Sequence, residues 1–190
     1  AIISETSTPI TVCGGLDSVE KCSQLIKSGA DRICIQSLLF NDIDAVKNLS
    51  ETYGGQSITI KFDINPLKKR LRSFNQMPYK EFSTTFQHLK RILIKHDIKD
   101  LLFYDTNADG NENIPDYSLV NKLDLTSFSL ILGGGLNRNN CEETYKSFKN
   151  SANDLSLSFS NCLYQHEIES VNIIKTLGES FSQHRLYRES

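Results

Sequence analysis

Residues 9–20 read PITVCGGLDSVE, and this stretch decides the fold: it has an apolar run, two glycines, a short polar step and a helix start. A similar run, SLILGGGLNRNN, occupies residues 129–140. In both stretches glycine allows the main chain to turn tightly directly after a strand, because it has no Cβ. The two stretches therefore predict strand–turn–helix units in which the turn requires residues without a side chain.

Short apolar runs like the one before Gly14 recur along the whole chain. They are apolar throughout, as is typical of strands covered on both faces, and segments with helical apolar spacing lie between them. This order predicts an α/β fold with a parallel sheet, either an open doubly wound sheet or a closed barrel. The predicted strands are residues 10–13, 32–36, 57–62, 100–104, 128–132 and 155–159, and the predicted helices begin near residues 18, 43, 82, 115 and 171.

The carboxyl ends of these strands carry glycine or polar residues almost everywhere. Ligands gather at these ends in both architectures, and a ring of such ends favours a barrel over a single crevice. We therefore predict one domain over residues 1–190, with its ligand site at the strand ends. These ends hold Gly14 and Gly15, Gln36 and Ser37, Asp63, Asp105 to Gly110, Gly133 to Gly135, and Ser160.

Composition excludes several classes of protein. The net charge is -2 and the pI is near 6.1, so there is no basic field for nucleic acid or an anionic membrane. No apolar run approaches the roughly 20 residues of a membrane span, and the N-terminus lacks the features of a signal peptide. The chain has 5 cysteines without C-x-x-C spacing, which indicates reduced, mostly buried thiols, with Cys13 and Cys34 in the core. We therefore predict a soluble, cytoplasmic protein without a metal or cofactor.

The glycine turns have two interpretations. Glycine at a strand end lets phosphate oxygens approach main-chain N–H groups at a helix start, but a tight turn alone explains one such motif better. Two motifs, together with Ser160 after a third strand, favour anion binding. The spacing is not G-x-G-x-x-G, which disfavours a dinucleotide site.

Asp63 is the last residue of the run SITIKFD, at the carboxyl end of its predicted strand. A carboxylate at this position can act as a general acid or base. It can equally well cap the loop that follows. The stretch YDTNADGNEN, residues 104–113, has part of the pattern of oxygen-bearing side chains found in calcium-binding loops. It lacks the glutamate at the twelfth position of such loops, so calcium binding is only a weak alternative interpretation of this stretch. The basic stretch KKRLR at residues 68–72 is predicted to be a solvated hairpin or loop.

Together the motifs resemble those of a known family. They are PITVCGGLDSVEKCSQLIKSGADRICIQS, YGGQSITIKFDI, LLFYDTNADG, LILGGGL and LSLSFSNCLYQHEI. In order, they are similar to successive strand-end motifs of HisF, the cyclase subunit of imidazole glycerol phosphate synthase. The resemblance implies a TIM (βα)8-barrel in which this chain begins at the third strand. The expected structure is an incomplete barrel containing strands three to eight, without the strand that carries the second catalytic aspartate.

The resemblance also implies a function in histidine biosynthesis. A glutaminase partner would supply ammonia, and a ribulosyl nucleotide would give imidazole glycerol phosphate and aminoimidazole carboxamide ribotide, without a cofactor. Asp63 matches one of two catalytic aspartates. The implied phosphate and substrate residues are Gly15, Gln36, Ser37, Asp109, Gly110, Gly134, Gly135 and Ser160, and the residues implied at the ammonia entrance and partner interface are Asp31, Arg32 and Asp100.

The chain departs from the family pattern after Asp63. The segment NPLKKRLRSFNQMPYKEF is shorter than the usual hairpin and has none of its glycines. Gln36 replaces an asparagine, and Gly133 replaces a serine. These departures keep two alternatives open: a HisF-like paralogue that supports amidination of a surface-polysaccharide sugar, and an inactive truncated barrel that acts as a binding partner.

Overall fold

A computed structural model describes residues 8–72, 76–111, 113–160, 173 and 175 of the chain. The strands are β1 (Thr11–Cys13), β2 (Arg32–Ile35), β3 (Ile58–Asn65), β4 (Arg70–Leu71), β5 (Asp100–Asp105), β6 (Leu125–Gly133) and β7 (Ala152–Ser158). The α-helices are α1 (Val19–Lys27), α2 (Leu38–Asn41), α3 (Ile43–Tyr53), α4 (Tyr79–Lys95) and α5 (Cys141–Phe148), and short 3₁₀ helices cover Gly55–Ser57 and Val120–Lys122.

The strands form one sheet in the order β1-β2-β3-β5-β6-β7, and β4 pairs with β3. All pairs along this path are parallel, while β4 is antiparallel to β3. A doubly wound sheet reverses its strand order at a switch point, whereas a barrel keeps the order of the chain. The topology therefore confirms the prediction of an α/β fold of the barrel type. Over the described residues the sheet is open, with β1 and β7 at its edges, so it is an incomplete barrel.

The two faces of the sheet differ in chemistry. One face is packed against the helices and is fully buried, as Ile60, Phe62 and Leu101 show. Right-handed crossovers between strands in chain order place the helices on this one side. The opposite face, which we name the polar face, holds the alternate strand residues. It includes Cys13, Cys34, Thr59, Lys61, Asp63, Asn65, Leu102, Tyr104, Ile131, Gly133, Ser156 and Ser158.

Helix α4 carries the aromatic part of the core. Its residues Phe82 and Phe86 lie with their ring centroids 5.1 Å and 6.2 Å from that of Phe62 on β3. Phe62 also stacks on Phe103 of β5 at 4.9 Å. Edge-to-face and offset aromatic pairs are favourable at these separations, so this cluster fixes α4 against the centre of the sheet.

Helix α1 begins and ends where the sequence predicts. Ser18 Oγ accepts a hydrogen bond from the main-chain N–H of Lys21 at 3.3 Å, which is N-cap geometry. Gly29 follows the last turn with φ of 99°, a conformation that favours glycine. No helix in the described part of the chain is long and apolar enough to span a membrane.

The strand that carries Asp63 is longer than predicted. Asp63 does not close β3, which continues to Asn65 because β4 folds back and pairs with its last residues. The main-chain N–H of Arg72 donates to Asp63 O at 2.8 Å, and Leu71 is fully buried. The prediction of a hairpin in the KKRLR stretch is therefore confirmed, and Asp63 lies two residues inside the strand.

The prediction of a helix that begins at Pro115 is wrong. Residues 113–117 form no helix, because their groups bind neighbouring strand ends instead. The main-chain N–H of Asp116 donates to Asp105 Oδ2 at 3.0 Å, and the Tyr117 hydroxyl donates to Gly133 O at 2.9 Å. The predicted helix at residues 171–177 lies outside the described residues, except for Ile173 and Lys175, which are helical.

Candidate active site

The parallel strands bring their carboxyl ends to one edge of the sheet, which we name the mouth. Gly14 and Gly15 follow β1, and Ser37 follows β2. Asp63 lies near the end of β3, where it pairs in register with Tyr104 of β5. Tyr104 pairs with Gly133, and Gly133 with Ser158 of β7. The predicted residues of the mouth are therefore distributed along one continuous edge.

Asp63 lies beside a lysine on the polar face. Lys61 Nζ is 2.9 Å from Asp63 Oδ1, and the two side chains are 18% and 16% exposed. The buried Oδ1 accepts no well-aligned hydrogen bond in the described structure, so the contact is an ion pair without hydrogen-bond geometry. The sequence analysis missed Lys61. The signal was the i, i+2 spacing of two charged residues within an apolar strand, which places both on one face.

A second group of polar side chains adjoins this pair. Lys61 Nζ lies 4.5 Å from the centroid of the Tyr104 ring, which is cation–π geometry. Asp109 and Ser160 both act on the Tyr104 hydroxyl, and Ser160 Oγ donates to Asp109 Oδ1 at 3.5 Å. Burial, followed by the hydrogen bond to Asp109, raises the pKa of Tyr104 to about 12. Tyr104 is therefore a neutral hydroxyl at physiological pH, and it links β3 to the loop after β5.

The turn after β1 is open. Gly14 and Gly15 have φ of 104° and 66°, and a Cβ built on either would meet no other atom within 4 Å. Glycine is required there by backbone conformation and not by packing. The turn therefore has free space beside its main chain, as an approaching anion needs.

The turn after β6 is packed. Gly134 and Gly135 have φ of 89° and 77°. A Cβ on Gly134 would lie 2.2 Å from Asp105 O, and one on Gly135 would lie 2.5 Å from the Ala108 Cβ. Contact between the two loops thus explains these glycines without a ligand. Gly135 O in addition accepts a hydrogen bond from Asn140 Nδ2 at 3.0 Å.

Asp105 organises the loop after β5. Its side chain is buried, and Oδ1 accepts hydrogen bonds from the main-chain N–H groups of Asn107 at 2.8 Å and Ala108 at 3.2 Å. Oδ2 accepts the bond from Asp116. Burial raises the pKa of the Asp105 carboxyl, and the three main-chain N–H donors oppose this shift. Both carboxyl oxygens of the first residue in the calcium-like motif therefore bind their own loop.

Gln36 and Ser37 lie between β2 and α2. Gln36 is half-buried and Ser37 is exposed. Ser37 is the N-cap residue of α2, but its side chain makes no capping hydrogen bond. The Ser37 hydroxyl is thus exposed at the mouth, one strand away from the open turn at Gly14.

The three residues predicted at the opposite end lie at the amino ends of β2 and β5. Arg32 Nε is 3.4 Å from Asp100 Oδ2 and donates to Gln56 O at 3.1 Å. Asp31 Oδ2 accepts the main-chain N–H of Ile10 at 2.7 Å. The structure therefore brings Arg32 and Asp100 together, whereas the Asp31 carboxylate joins β1 to the turn before β2.

The two cysteines predicted in the core differ. Cys34 is 3% exposed, which confirms the prediction, and Cys13 is exposed, which makes the prediction wrong for that residue. Cys13 ends β1 on the polar face, and β1 is an edge strand of the described sheet. The apolar run PITVC hid this difference, because hydropathy does not reveal that a strand lies at an edge.

Comparisons with known proteins show the family to which the sequence is similar. A family described as "Histidine biosynthesis protein" matches residues 1–168. The chain is 26% identical over 153 residues to the imidazole glycerol phosphate synthase subunit HisF of Dictyoglomus thermophilum, covering 78% of this chain and 59% of that protein. It is 24% identical over 164 residues to the HisF subunit of Pelodictyon phaeoclathratiforme, covering 84% and 63%. For the HisF subunit of Nostoc sp., the identity is 23% over 186 residues, covering 95% and 71%.

Proposed function

We propose that this chain, which belongs to the histidine biosynthesis protein family, contributes the mouth of a HisF-like cyclase. The reaction would add ammonia from a glutaminase to a ribulosyl nucleotide, and it would form imidazole glycerol phosphate and aminoimidazole carboxamide ribotide in the cytoplasm. The chain spans about 59% of the length of the HisF subunits from the two Dictyoglomus species. The observation that carries the proposal is the position of Asp63, partly buried on the polar face at the mouth.

Asp63 is the residue we assign to proton transfer. A general acid or base must lie within hydrogen-bond reach of the reacting group, and a side chain that is 16% exposed on a sheet face can reach a ligand at the mouth. Lys61 contacts the same carboxylate and holds it in one orientation. No residue of this chain is assigned as the second acid or base.

Two ends of the mouth suit the two phosphates of such a substrate. At one end, the open turn at Gly14 and Gly15 lies beside Gln36 and the exposed hydroxyl of Ser37. Main-chain N–H groups and a hydroxyl are suitable donors to phosphate. This end is the better supported of the two, because packing does not explain its glycines.

The other end combines Gly110, Gly134, Gly135 and Ser160 with Asp109. Ser160 donates to Asp109, so a phosphate at Ser160 would meet a carboxylate at close range. Like charges repel at this distance. We therefore assign the phosphate to the glycine N–H groups, and we assign Asp109 with its partner Ser160 to hydroxyl groups of the sugar.

The proposed glutaminase would dock at the amino ends of the strands. Arg32 and Asp100 form an ion pair there, with side chains 48% and 19% exposed. Such a partly exposed pair is easily opened in water, and it offers charged groups of both signs for contact with the glutaminase at the end where ammonia would enter.

A second candidate is a HisF-like paralogue that acts in the amidination of a sugar. Two observations favour it: the ion pair of Lys61 with Asp63, and the compact β3–β4 hairpin directly after Asp63. A cation beside the catalytic carboxylate and a shorter cover over the mouth would each change the substrate that is accepted.

The test is turnover of the ribulosyl nucleotide with ammonium chloride or a glutaminase, with both products separated by chromatography. Asp63→Asn is expected to lower kcat by about 100-fold to 10,000-fold, the usual contribution of a general acid or base. The control is Asp44→Asn on α3, since Asp44 is exposed and pairs with Lys47 at the surface.

Two results would contradict the assignment in different ways. Full turnover by the Asp63→Asn protein would remove Asp63 from the chemistry while leaving the cyclase function in place. Absence of both products with the parent protein, together with amidine formation when a polysaccharide sugar is the substrate, would favour the paralogue.

A further inference from the structure

Two cysteines lie side by side near the mouth. Cys13 of β1 and Cys34 of β2 are partners in the parallel register, and both lie on the polar face. Neighbouring strands are about 4.8 Å apart, so their thiols are adjacent. Cys34 is 3% exposed, whereas Cys13 is open to solvent at the end of its strand. A buried thiol is therefore the direct neighbour of an exposed one.

The surroundings of Cys13 favour its thiolate. The hydrogen bond from Cys34, followed by the charge of Lys61 and the main-chain N–H of Gly14, lowers the pKa of Cys13 to about 6, against burial and the charge of Asp63. The same hydrogen bond raises the pKa of Cys34. The pair thus places an exposed thiol with a lowered pKa beside a buried thiol with a raised pKa.

We propose that Cys13 is a nucleophilic, redox-sensitive thiol that forms a mixed disulfide with low-molecular-weight disulfides such as oxidised glutathione. The Cys13 thiolate sulfur attacks one sulfur of R–S–S–R and forms a bond to it. The original S–S bond breaks, and R–S⁻ leaves with the electron pair. The proposal is independent of the proposed function, because it requires only the thiol pair and Lys61.

The position of Cys13 gives the modification a consequence for the site. Cys13 directly precedes Gly14, and the space beside the turn at Gly14 and Gly15 is open. A glutathione adduct carries carboxylates, which would cover this turn and repel an anion. Oxidation would therefore close one end of the mouth.

The experiment measures reaction with dithiobis(nitrobenzoate), an aromatic disulfide, between pH 5 and 9. Cys162→Ser is used as the parent, so that the remaining thiols are the exposed Cys13 and the buried Cys22, Cys34 and Cys141. We expect one fast phase whose rate has its midpoint near pH 6. At pH 6 it should be about tenfold faster than an unperturbed peptide cysteine of pKa about 8.5, because the greater thiolate fraction outweighs its lower intrinsic nucleophilicity.

Matched variants separate the contributions. Cys13→Ser should remove the fast phase, and peptide mapping after treatment with oxidised glutathione should place the adduct on Cys13. Cys34→Ser and Lys61→Met should each move the midpoint to higher pH, whereas Lys61→Arg should retain it. Cys22→Ser is the control, since Cys22 is fully buried on α1 and its loss should leave the midpoint unchanged.

The proposal is overturned if the fast phase survives in Cys13→Ser, or if the midpoint of the parent lies near 8.5. It is also overturned if Cys34→Ser and Lys61→Met, both shown by circular dichroism to be folded, leave the midpoint where it was.

Discussion

Glycine meets two different requirements at the turns of the mouth. At Gly14 the backbone conformation alone excludes a side chain, and the space beside it is open. At Gly134 the conformation is similar, but the main chain of Asp105 occupies the place of a Cβ. The two turns look alike in sequence, and they differ because only one of them packs against a neighbouring loop.

Alanine substitution at these glycines should therefore have unequal costs. Gly14→Ala should lower the free energy of unfolding by about 1–2 kcal/mol, the cost of a left-handed backbone for a residue with a Cβ. Gly134→Ala should lower it by more than about 3 kcal/mol, because a contact of 2.2 Å with main chain requires the loop to move. Urea unfolding of both variants provides the comparison. Equal costs would show that the loop after β5 does not hold Gly134 in place.

At the scale of elements, β3 and α4 form the centre of the molecule. Phe86 of α4 faces Phe62 of β3 and Phe128 of β6, with centroid distances of 6.2 Å and 6.1 Å. The helical spacing of Phe82, Phe86, Leu89 and Leu93 predicts this buried face, and the structure confirms it. One helix therefore covers two strands that are not adjacent in the chain.

Removal of one ring from this cluster should be costly. Phe86→Ala should lower the free energy of unfolding by about 3–5 kcal/mol, because it leaves a cavity between α4 and the sheet. Ile94→Ala on the same helix is the control, since Ile94 is 42% exposed and should change stability by about 0.5 kcal/mol or less. Thermal and chemical unfolding should agree on this order. Similar losses for both variants would mean that α4 is not anchored through Phe86.

At the scale of the whole molecule, stability is concentrated in the middle of the sheet. Strands β3 and β5 are paired on both sides, and their helix-facing side chains are fully buried. Strand β1 has 3 residues and pairs only with β2 within the described sheet. Few backbone hydrogen bonds and little buried apolar area therefore hold it in place.

Amide hydrogen exchange should reveal this gradient. We expect the amides of β3 and β5 to exchange only through global unfolding, and those of Thr11–Cys13 to exchange through local opening at much lower free energy. Mass spectrometry of peptides after timed labelling would measure both. Uniform protection over β1, β3 and β5 would contradict the gradient and would indicate that another element covers the edge.

More of the fold than of the candidate site could be predicted from the sequence. Each of the six parallel strands was found, because apolar runs and strand-end glycines are local signals. The extension of β3 to Asn65 was missed, because it depends on pairing with β4. Lys61 and Tyr104 were missed for a similar reason. The role of a polar residue inside an apolar strand can be inferred only when it is known which face of the sheet the helices leave uncovered. The roles of the predicted site residues remain predictions.

The alternation along β3 has a consequence for how such a protein changes over generations. Ile60, Phe62 and Ile64 are fully buried against the helices, while Lys61 and Asp63 lie between them on the other face. A mutation at Ile60, Phe62 or Ile64 is expected to alter folding and to leave the proposed site in place. A mutation at Lys61 or Asp63 is expected to alter the proposed site and to leave this packed face in place. Under the proposed function, new substrates would therefore be explored at Lys61 without loss of the scaffold, and the scaffold would be repacked at Phe62 without loss of the reaction.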